Sequence, residues 1–275
     1  MTIAELLVNA STHLQPYSDS PRLDAEILLA FVVDWNRTKL LTHSQTVLSL
    51  SQEKKFYQGL RKREKHMPIA YITGRTEFFG LPLHVTPAVL IPRPFTELLV
   101  ESVLEKIPPI SPAHIVDVGT GSGAIALALA SRLPKAAITG TDISASALRV
   151  AKKNARSLRL TKKVAWRQGS LLTPIQKFKP DVVIANLPYL TDKQMREPSI
   201  QYEPRTALYS QKNGLQHITQ LMKQVRAMPS VTIIALELDP TQVLAVKKLL
   251  QQWSPRCSIQ SISDGKKVRG LLAIR

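Results

Sequence analysis

The chain reads as an α/β protein: a doubly wound, Rossmann-like sheet of seven strands with one antiparallel edge strand, preceded by a small N-terminal helical bundle. Three observations predict this. From His114 onward, apolar runs of strand length alternate with stretches of helix length, the pattern of parallel βαβ units. A glycine-rich turn, Gly119-Thr120-Gly121-Ser122-Gly123, leaves the first of those runs and enters a helix. Residues 1–66, in contrast, carry helical spacing.

In that first stretch Leu23, Ile27, Phe31 and Asp34 fall near helical spacing behind Pro21, a residue suited to a first turn, and Ser51 is placed to cap a later helix. Between Met67 and Pro94 the short pieces Tyr71–Thr73, Glu77–Phe79 and Leu83–Val85 are punctuated by Gly74, Gly80, Pro82 and Pro87, as in a hairpin-like connector. A helix over Phe95–Lys106 stops at Pro108 and Pro109. The expected organisation is a bundle over 1–70, a connector over 71–110 and a sheet domain over 111–275. Its strands are predicted at Ile115–Val118, Ala137–Asp142, Val164–Gln168, Asp181–Asn186, Val231–Leu238, Ser258–Ile262 and Val268–Ile274. Helices are predicted near Ala124–Arg132, Ala145–Leu158, Leu215–Met228 and Gln242–Gln252. The last two strands have no helix between them and are expected to pair antiparallel at one edge.

Composition narrows the class. With 275 residues and 44% hydrophobic side chains the chain can bury substantial cores, which excludes disorder as its main state. The net charge of +17 is uneven: residues 1–110 hold 12 basic and 11 acidic side chains, net +1, and residues 111–275 hold 25 and 9, net +16. Such an excess attracts anionic partners. Cys257 is the single cysteine and the six histidines lack ligand spacing, so neither a disulfide nor a metal site is expected. The longest apolar run, Ala25–Val33, contains Glu26 and is too short to span a bilayer. Glu5 and the absence of basic residues before Arg22 do not suit a secretory or organellar leader. A soluble, cytoplasmic, monomeric protein with no membrane partner is expected.

The glycine turn lets a ligand approach the backbone closely, and its spacing also satisfies a loose dinucleotide pattern. Two acids separate the readings. Asp117 precedes the first glycine by two positions, where it can pair with an ammonium group and would repel a pyrophosphate. Asp142 ends the next strand, where a carboxylate can hold both hydroxyls of a ribose. Together with Gly119, Thr120, Gly121, Ser122 and Gly123 they suit S-adenosylmethionine, an amino acid joined to a nucleoside with no phosphate. Leu171, after the third strand, either covers the adenine or belongs to the core.

The fourth strand ends in Asn186-Leu187-Pro188-Tyr189, and ligands of open α/β sheets lie beyond the carboxyl ends of strands. A conjugated NH2 group is a poor nucleophile because its lone pair is delocalised. The Asn186 side-chain oxygen and the Leu187 carbonyl can hold its two hydrogens, aim the lone pair at a sulfonium methyl, and stabilise charge growing on nitrogen. Tyr189 offers a flat face for stacking and Pro188 keeps Leu187 extended. Asn186 and Tyr189 are thus the candidate catalytic residues, Asn186–Tyr189 the substrate loop, and Asn186 also a cofactor neighbour.

These residues resemble the PrmC/HemK family, protein-(glutamine) methyltransferases of peptide chain release factors. Pro21-Arg22-Leu23-Asp24-Ala25-Glu26 with Leu28 and Leu29 is similar to the family's bundle motif. Pro68–Gly74, Glu77–Gly80 and Ile91-Pro92-Arg93-Pro94 with Thr96 and Glu97 resemble its connector, and Asp117–Ala130 its cofactor loop. Tyr202-Glu203-Pro204-Arg205-Thr206-Ala207-Leu208 resembles a later family motif. The resemblance implies a methyltransferase sheet, S-adenosylmethionine as methyl donor and S-adenosylhomocysteine as product. It implies as substrate the Gly-Gly-Gln glutamine of class I release factors, met near the ribosome or free, and a helical domain that helps to dock them. The sequence departs from the family's pattern at Leu187, where Pro is usual, at Phe95, usually polar, at Ser170, commonly Asp, and in the loosely matching 264–270.

Arg149, Lys152, Lys153, Arg156 and Arg159 recur at helical spacing, Lys162, Lys163 and Arg167 follow, and no acid occurs from 143 to 180. The run reads either as an electropositive face or as a solvated helix surface; Lys54–Lys65, diluted by Glu64, is similarly open. Two alternatives stand beside glutamine methylation. One is an adenine amino methyltransferase of DNA or RNA, because Asn-x-Pro-Tyr loops serve that chemistry too. The other is a non-catalytic cofactor-binding or RNA-binding protein. The connector motifs favour glutamine and no direct nucleic-acid substrate, with the charge steering an acidic or ribosome-associated protein.

Overall fold

A side-chain cap or a first-turn proline starts each of the first four helices in the computed structural model, which describes every residue except Glu197 and Ser199. Helix α1 (Ile3–Leu14) opens on a capping box between Thr2 and Glu5. Helix α2 (Pro21–Val33) carries Pro21 in its first turn and ends at Asp34 in the left-handed region, φ 55°. Asn36 caps α3 (Arg37–Thr42), and α4 (Leu50–Glu64) opens on a Ser49–Gln52 capping box, so the cap lies two residues before the Ser51 that spacing suggests. Helix α5 (Ile69–Thr73) absorbs Tyr71–Thr73, expected to be extended; its stop is Gly74 at φ 71°.

The buried face of α2 also differs from the predicted stripe. Leu23 and Phe31 are exposed, while Ala25, Leu28 and Leu29 enter the core, flanked by buried Asp24 and Glu26. Those acids can be buried because each has a guanidinium partner: Arg63 Nε lies 2.7 Å from Asp24, and Arg22 and Arg37 each approach Glu26 to 2.7 Å.

From Thr76 on, the hairpin β1 (Arg75–Phe78) and β2 (Leu81–His84) and helix α6 (Pro94–Leu104) lead into the alternating part. There follow β3 (His114–Val118), α7 (Ala124–Arg132), β4 (Ala137–Asp142), α8 (Ala145–Ser157), β5 (Val164–Gln168) and β6 (Val182–Ala185). The chain closes with α9 (Arg205–Leu208), α10 (Gln216–Arg226), β7 (Ile233–Glu237), α11 (Val243–Trp253), β8 (Ser258–Ser263) and β9 (Val268–Ile274). Seven strands form one sheet in the order β5-β4-β3-β6-β7-β9-β8. Strands β3 to β7 are mutually parallel, and β9 runs antiparallel to both β7 and β8. The late pair is antiparallel as expected, but the reversed strand lies one place in from the edge and β8 forms the edge itself.

One apolar core fills the sheet face under α6 and α7, with Leu99, Leu127 and Ile184, and a second lies under α10 and α11, with Met222, Val183 and Leu236. By contact density the chain divides into two compact units, Met1–Arg75 with Pro198–Tyr202, and Thr76–Glu197 with Glu203–Arg275. The strand order reverses at the β3/β6 boundary, the place where open α/β sheets leave a crevice at the strands' carboxyl ends.

Candidate active site

The turn after β3 depends on glycine: φ is 75° at Gly119, 55° at Gly121 and 82° at Gly123. The Gly119 and Thr120 N–H groups both donate to the Thr141 carbonyl at 2.9 Å, which ties the turn to β4. Beneath it Asp117 is fully buried. Its Oδ2 accepts from Thr120 Oγ1 at 2.5 Å and from the Ala126 N–H at 3.1 Å, and its Oδ1 has no hydrogen-bond partner in the chain. Burial pushes this carboxyl up to about 7. Asp117 therefore holds the turn against the start of α7 and does not reach the cleft wall as a direct ammonium partner.

Above the turn opens a cleft of about 810 Å³, its solvent-open mouth included. Its wall brings together Gly119, Gly121, Asp142, Leu171, Asn186, Leu187 and Pro188. Thr120, Ser122, Gly123 and Tyr189 are not on that wall. Thr120 is turned to Asp117, the Ser122 carbonyl accepts from Asn154 Nδ2 at 2.9 Å, and a Cβ on Gly123 would stand 2.8 Å from Trp166. Leu171, in the left-handed region at φ 51°, serves both roles the sequence left open, because it lines the cleft and joins the core around Ile175. Sequence reading did not place Ala88–Leu90, Ser144 or His217 there.

The wall is electrostatically selective. Among the described residues it carries one carboxylate, Asp142, and no lysine or arginine. Asp142 Oδ1 accepts from the Ser144 N–H at 2.8 Å and Oδ2 from the Gly121 N–H at 2.9 Å, which leaves each oxygen a further lone pair for a ribose hydroxyl. Burial raises its pKa and those two bonds oppose the rise. Burial lowers the pKa of His217, which keeps that imidazole neutral near pH 7. A phosphate would meet a carboxylate and no cation here, whereas a cationic nucleoside meets complementary charge. A Cβ on Gly119 would lie 3.1 Å from Leu187 Cδ2, so that side chain would have to give by a few tenths of an ångström to admit one.

Beside the cleft is a buried network that the sequence did not reveal. Glu237, at the end of β7, is 1% exposed. It accepts from Thr96 Oγ1 at 2.6 Å and from the Tyr189 hydroxyl at 3.3 Å. Asn186 Nδ2 donates to Thr96 Oγ1 at 3.3 Å. Burial pushes Glu237 up to about 7 against the pull of these donors, and burial together with the charge of Glu237 raises the Tyr189 phenol. Gln242 Nε2 donates to the Tyr189 carbonyl at 3.1 Å, and a Cβ on Gly214, φ 80°, would stand 2.1 Å from both atoms. Glu203 accepts from the Ile91 N–H at 3.0 Å and from the Arg93 guanidinium. The one available signal for Glu237 was a carboxylate interrupting the apolar run Val231–Leu238 at a strand end. Phe95, the departure from the family's polar residue, lies under the Arg269 guanidinium at 5.0 Å.

Known proteins are similar to both parts of the chain. The PrmC N-terminal domain family matches residues 5–74 and the methyltransferase small domain family residues 94–202. The release factor glutamine methyltransferase of Moorella thermoacetica is 39% identical over 253 residues, covering 90% of this chain and 89% of that protein. That of Escherichia coli K12 is 38% identical over 234 residues, 84% of each. Among solved structures, the hMettl16 catalytic domain in complex with an RNA hairpin shares the fold, with TM-score 0.59 and 17% identity over 77% of this chain and 81% of that one. The human METTL16 N-terminal domain in complex with SAH does so at TM-score 0.53 and 17% identity, over 71% and 76%. With identity near two-fifths to proteins that cover 84–90% of it, the chain belongs to the release factor glutamine methyltransferase family.

Proposed function

We propose that the protein transfers a methyl group from S-adenosylmethionine to the side-chain amide nitrogen of the Gly-Gly-Gln glutamine of class I peptide chain release factors. The observation that carries this reading is the Asn186 amide, fixed by its NH2 end beside a cleft that has a carboxylate and no cation. Gly119 and Gly121 give the cofactor close access to the backbone, Asp142 takes its ribose hydroxyls, and Leu171 covers its base. Thr120, Ser122 and Gly123 act from behind by shaping the turn. When bound, the cofactor supplies an electrophilic methyl and leaves as S-adenosylhomocysteine.

The chain's own contribution is orientation. Because Nδ2 of Asn186 is committed to Thr96, its Oδ1 is the end left to accept a hydrogen from the substrate amide. The Leu187 carbonyl takes the second hydrogen; Leu at this position keeps that acceptor, since the role belongs to the backbone. With both hydrogens held, the nitrogen lone pair points along the remaining direction, and the two dipoles stabilise positive charge developing on nitrogen. Tyr189, off the cleft wall and anchored through its hydroxyl, offers its flat face from beside it. The helical stretch 1–70 docks the release factor.

The test is incubation with labelled S-adenosylmethionine and a release factor, beside a release factor whose acceptor glutamine is alanine. Label should enter only the glutamine form, survive nuclease and be lost to protease. Asn186→Ala should abolish incorporation while cofactor binding remains measurable by calorimetry; unchanged incorporation would overturn the role of Asn186. Nuclease-sensitive label would favour the adenine reading instead.

A further inference from the structure

We propose that the outer face of α8, the turn after it and the edge strand β5 form a docking surface for the phosphate backbone of RNA, separate from the cleft. Twelve lysines and arginines lie between residues 131 and 180 against one acid, Asp142, which is committed to the cleft wall. All twelve are exposed, and among the described residues none makes an ion pair. This segment supplies +11 (12 basic, 1 acidic) of the +16 carried by residues 111–275. The remaining +5 (13 basic, 8 acidic) is mixed in sign.

The pattern on α8 argues against a face that is merely solvated. Ala147, Leu148, Val150, Ala151, Asn154 and Ala155 are buried, so Arg149, Lys152, Lys153 and Arg156 fill the solvent stripe. Arg149–Lys153 and Lys152–Arg156 are like-charge pairs at four-residue spacing, each a repulsion that an interspersed glutamate would turn into an attraction. The helix spans roughly 20 Å at about 1.5 Å per residue, a length along which several phosphates can lie. It continues into β5, the uncovered edge of the sheet, where Arg167 is held over the exposed Phe178 ring at 5.6 Å. Protein interfaces centre on an apolar core with charge depleted, and this face has the reverse composition. A phosphate backbone needs only such a row of cations.

The test compares two triple variants of the full chain with the wild type. The first, Lys152→Glu, Arg156→Glu and Lys162→Glu, reverses the face; the second, Lys223→Glu, Lys248→Glu and Arg256→Glu, makes the same charge change on exposed positions of α10, α11 and the turn after α11. Binding of a fluorescent RNA hairpin is followed by anisotropy over a range of salt. Each phosphate contact contributes about 0.7–0.9 to the salt slope, so three lost contacts should lower the slope by about 2 and weaken binding near 0.1 M salt on the order of 100-fold. The control variant should retain most of its affinity and slope. Equal losses in both variants would mean unlocalised attraction and overturn the proposal. Polyglutamate displacing the hairpin as well as unlabelled RNA does would overturn it in favour of an acidic protein. Methylation of free release factor by the face variant should keep its KM; a KM rising in step with lost RNA binding would assign the face to the protein substrate and refute RNA docking.

Discussion

Glu237→Gln is the most informative single change at this site. The carboxylate accepts from Thr96 and Tyr189 at once, Thr96 accepts in turn from Asn186, and glutamine of equal size keeps one oxygen but turns an NH2 group toward donors. Hydrogen bonds to charged groups contribute about 1.5–3 kcal/mol each. Losing the one from Thr96 frees the hydroxyl that holds the Asn186 amide, which at about 1.4 kcal/mol per tenfold predicts a kcat lower by roughly 10- to 100-fold. Stability should change little, because with its carboxyl pushed up to about 7 the wild-type group is half protonated near neutral pH. Cofactor affinity should hold, since Glu237 is not on the cleft wall. The pH profile supplies an independent reading: wild-type kcat should rise with pH through about 7 as Glu237 ionises, and the variant should lose that limb. The assay is single-turnover methyl transfer to a release factor over a pH series, with calorimetry for the cofactor and thermal melts for the fold. A variant with wild-type kcat and an unchanged pH limb would refute the assignment of Asn186 orientation to Glu237.

Other perturbations read the remaining parts. Gly119→Ala should raise the cofactor Kd about tenfold or more by calorimetry, from a left-handed backbone cost of ~1–2 kcal/mol and a Cβ 3.1 Å from Leu187. Gly80→Ala, at φ 73° with nothing within 4 Å, should cost only ~1–2 kcal/mol of stability and leave the Kd alone. Gly214→Ala should lower kcat as well as Tm, because its Cβ cannot coexist with the Tyr189 carbonyl 2.1 Å away; a fully active variant would show that this loop does not position Tyr189. Glu203→Ala strands the Arg93 guanidinium and an N–H and should cost about 3 kcal/mol in denaturant unfolding, the lower end for a broken buried pair because Arg93 is partly exposed. Both Asp117 and Glu237 have folded pKa values raised to about 7 from ordinary values of 3.8 and 4.5, so the folded state keeps its protons to higher pH than the unfolded chain. Stability should therefore fall as pH rises across that window, and melts of Glu237→Gln should show a shallower fall.

What could be read without coordinates follows a physical division. The glycine turn, Asp142 and Asn186 are legible because each is defined by its own strand end: periodicity places the strand, and the ends of neighbouring parallel strands converge on one crevice. Glu237 is not legible in this way, since its partners Thr96 and Tyr189 lie 141 and 48 residues away and its own neighbours are a buried strand. The stripe misread on α2 has the same origin, because Asp24 and Glu26 look like surface acids until Arg22, Arg37 and Arg63 are brought to them. The position of β9 is likewise a tertiary matter. Gly270 pairs with Glu237, and a Cβ there would stand 2.8 Å from the Leu236 carbonyl, so the reversed strand can insert beside β7 only with glycine at that point. The same insertion completes the sheet on the far side of Glu237. The residue that orients the proposed catalytic amide is thus buried by the one strand whose place no local pattern encodes. Gly270→Ala should accordingly lower kcat through the Glu237 network beyond what its loss of stability accounts for; activity that simply tracks the folded fraction would break this link.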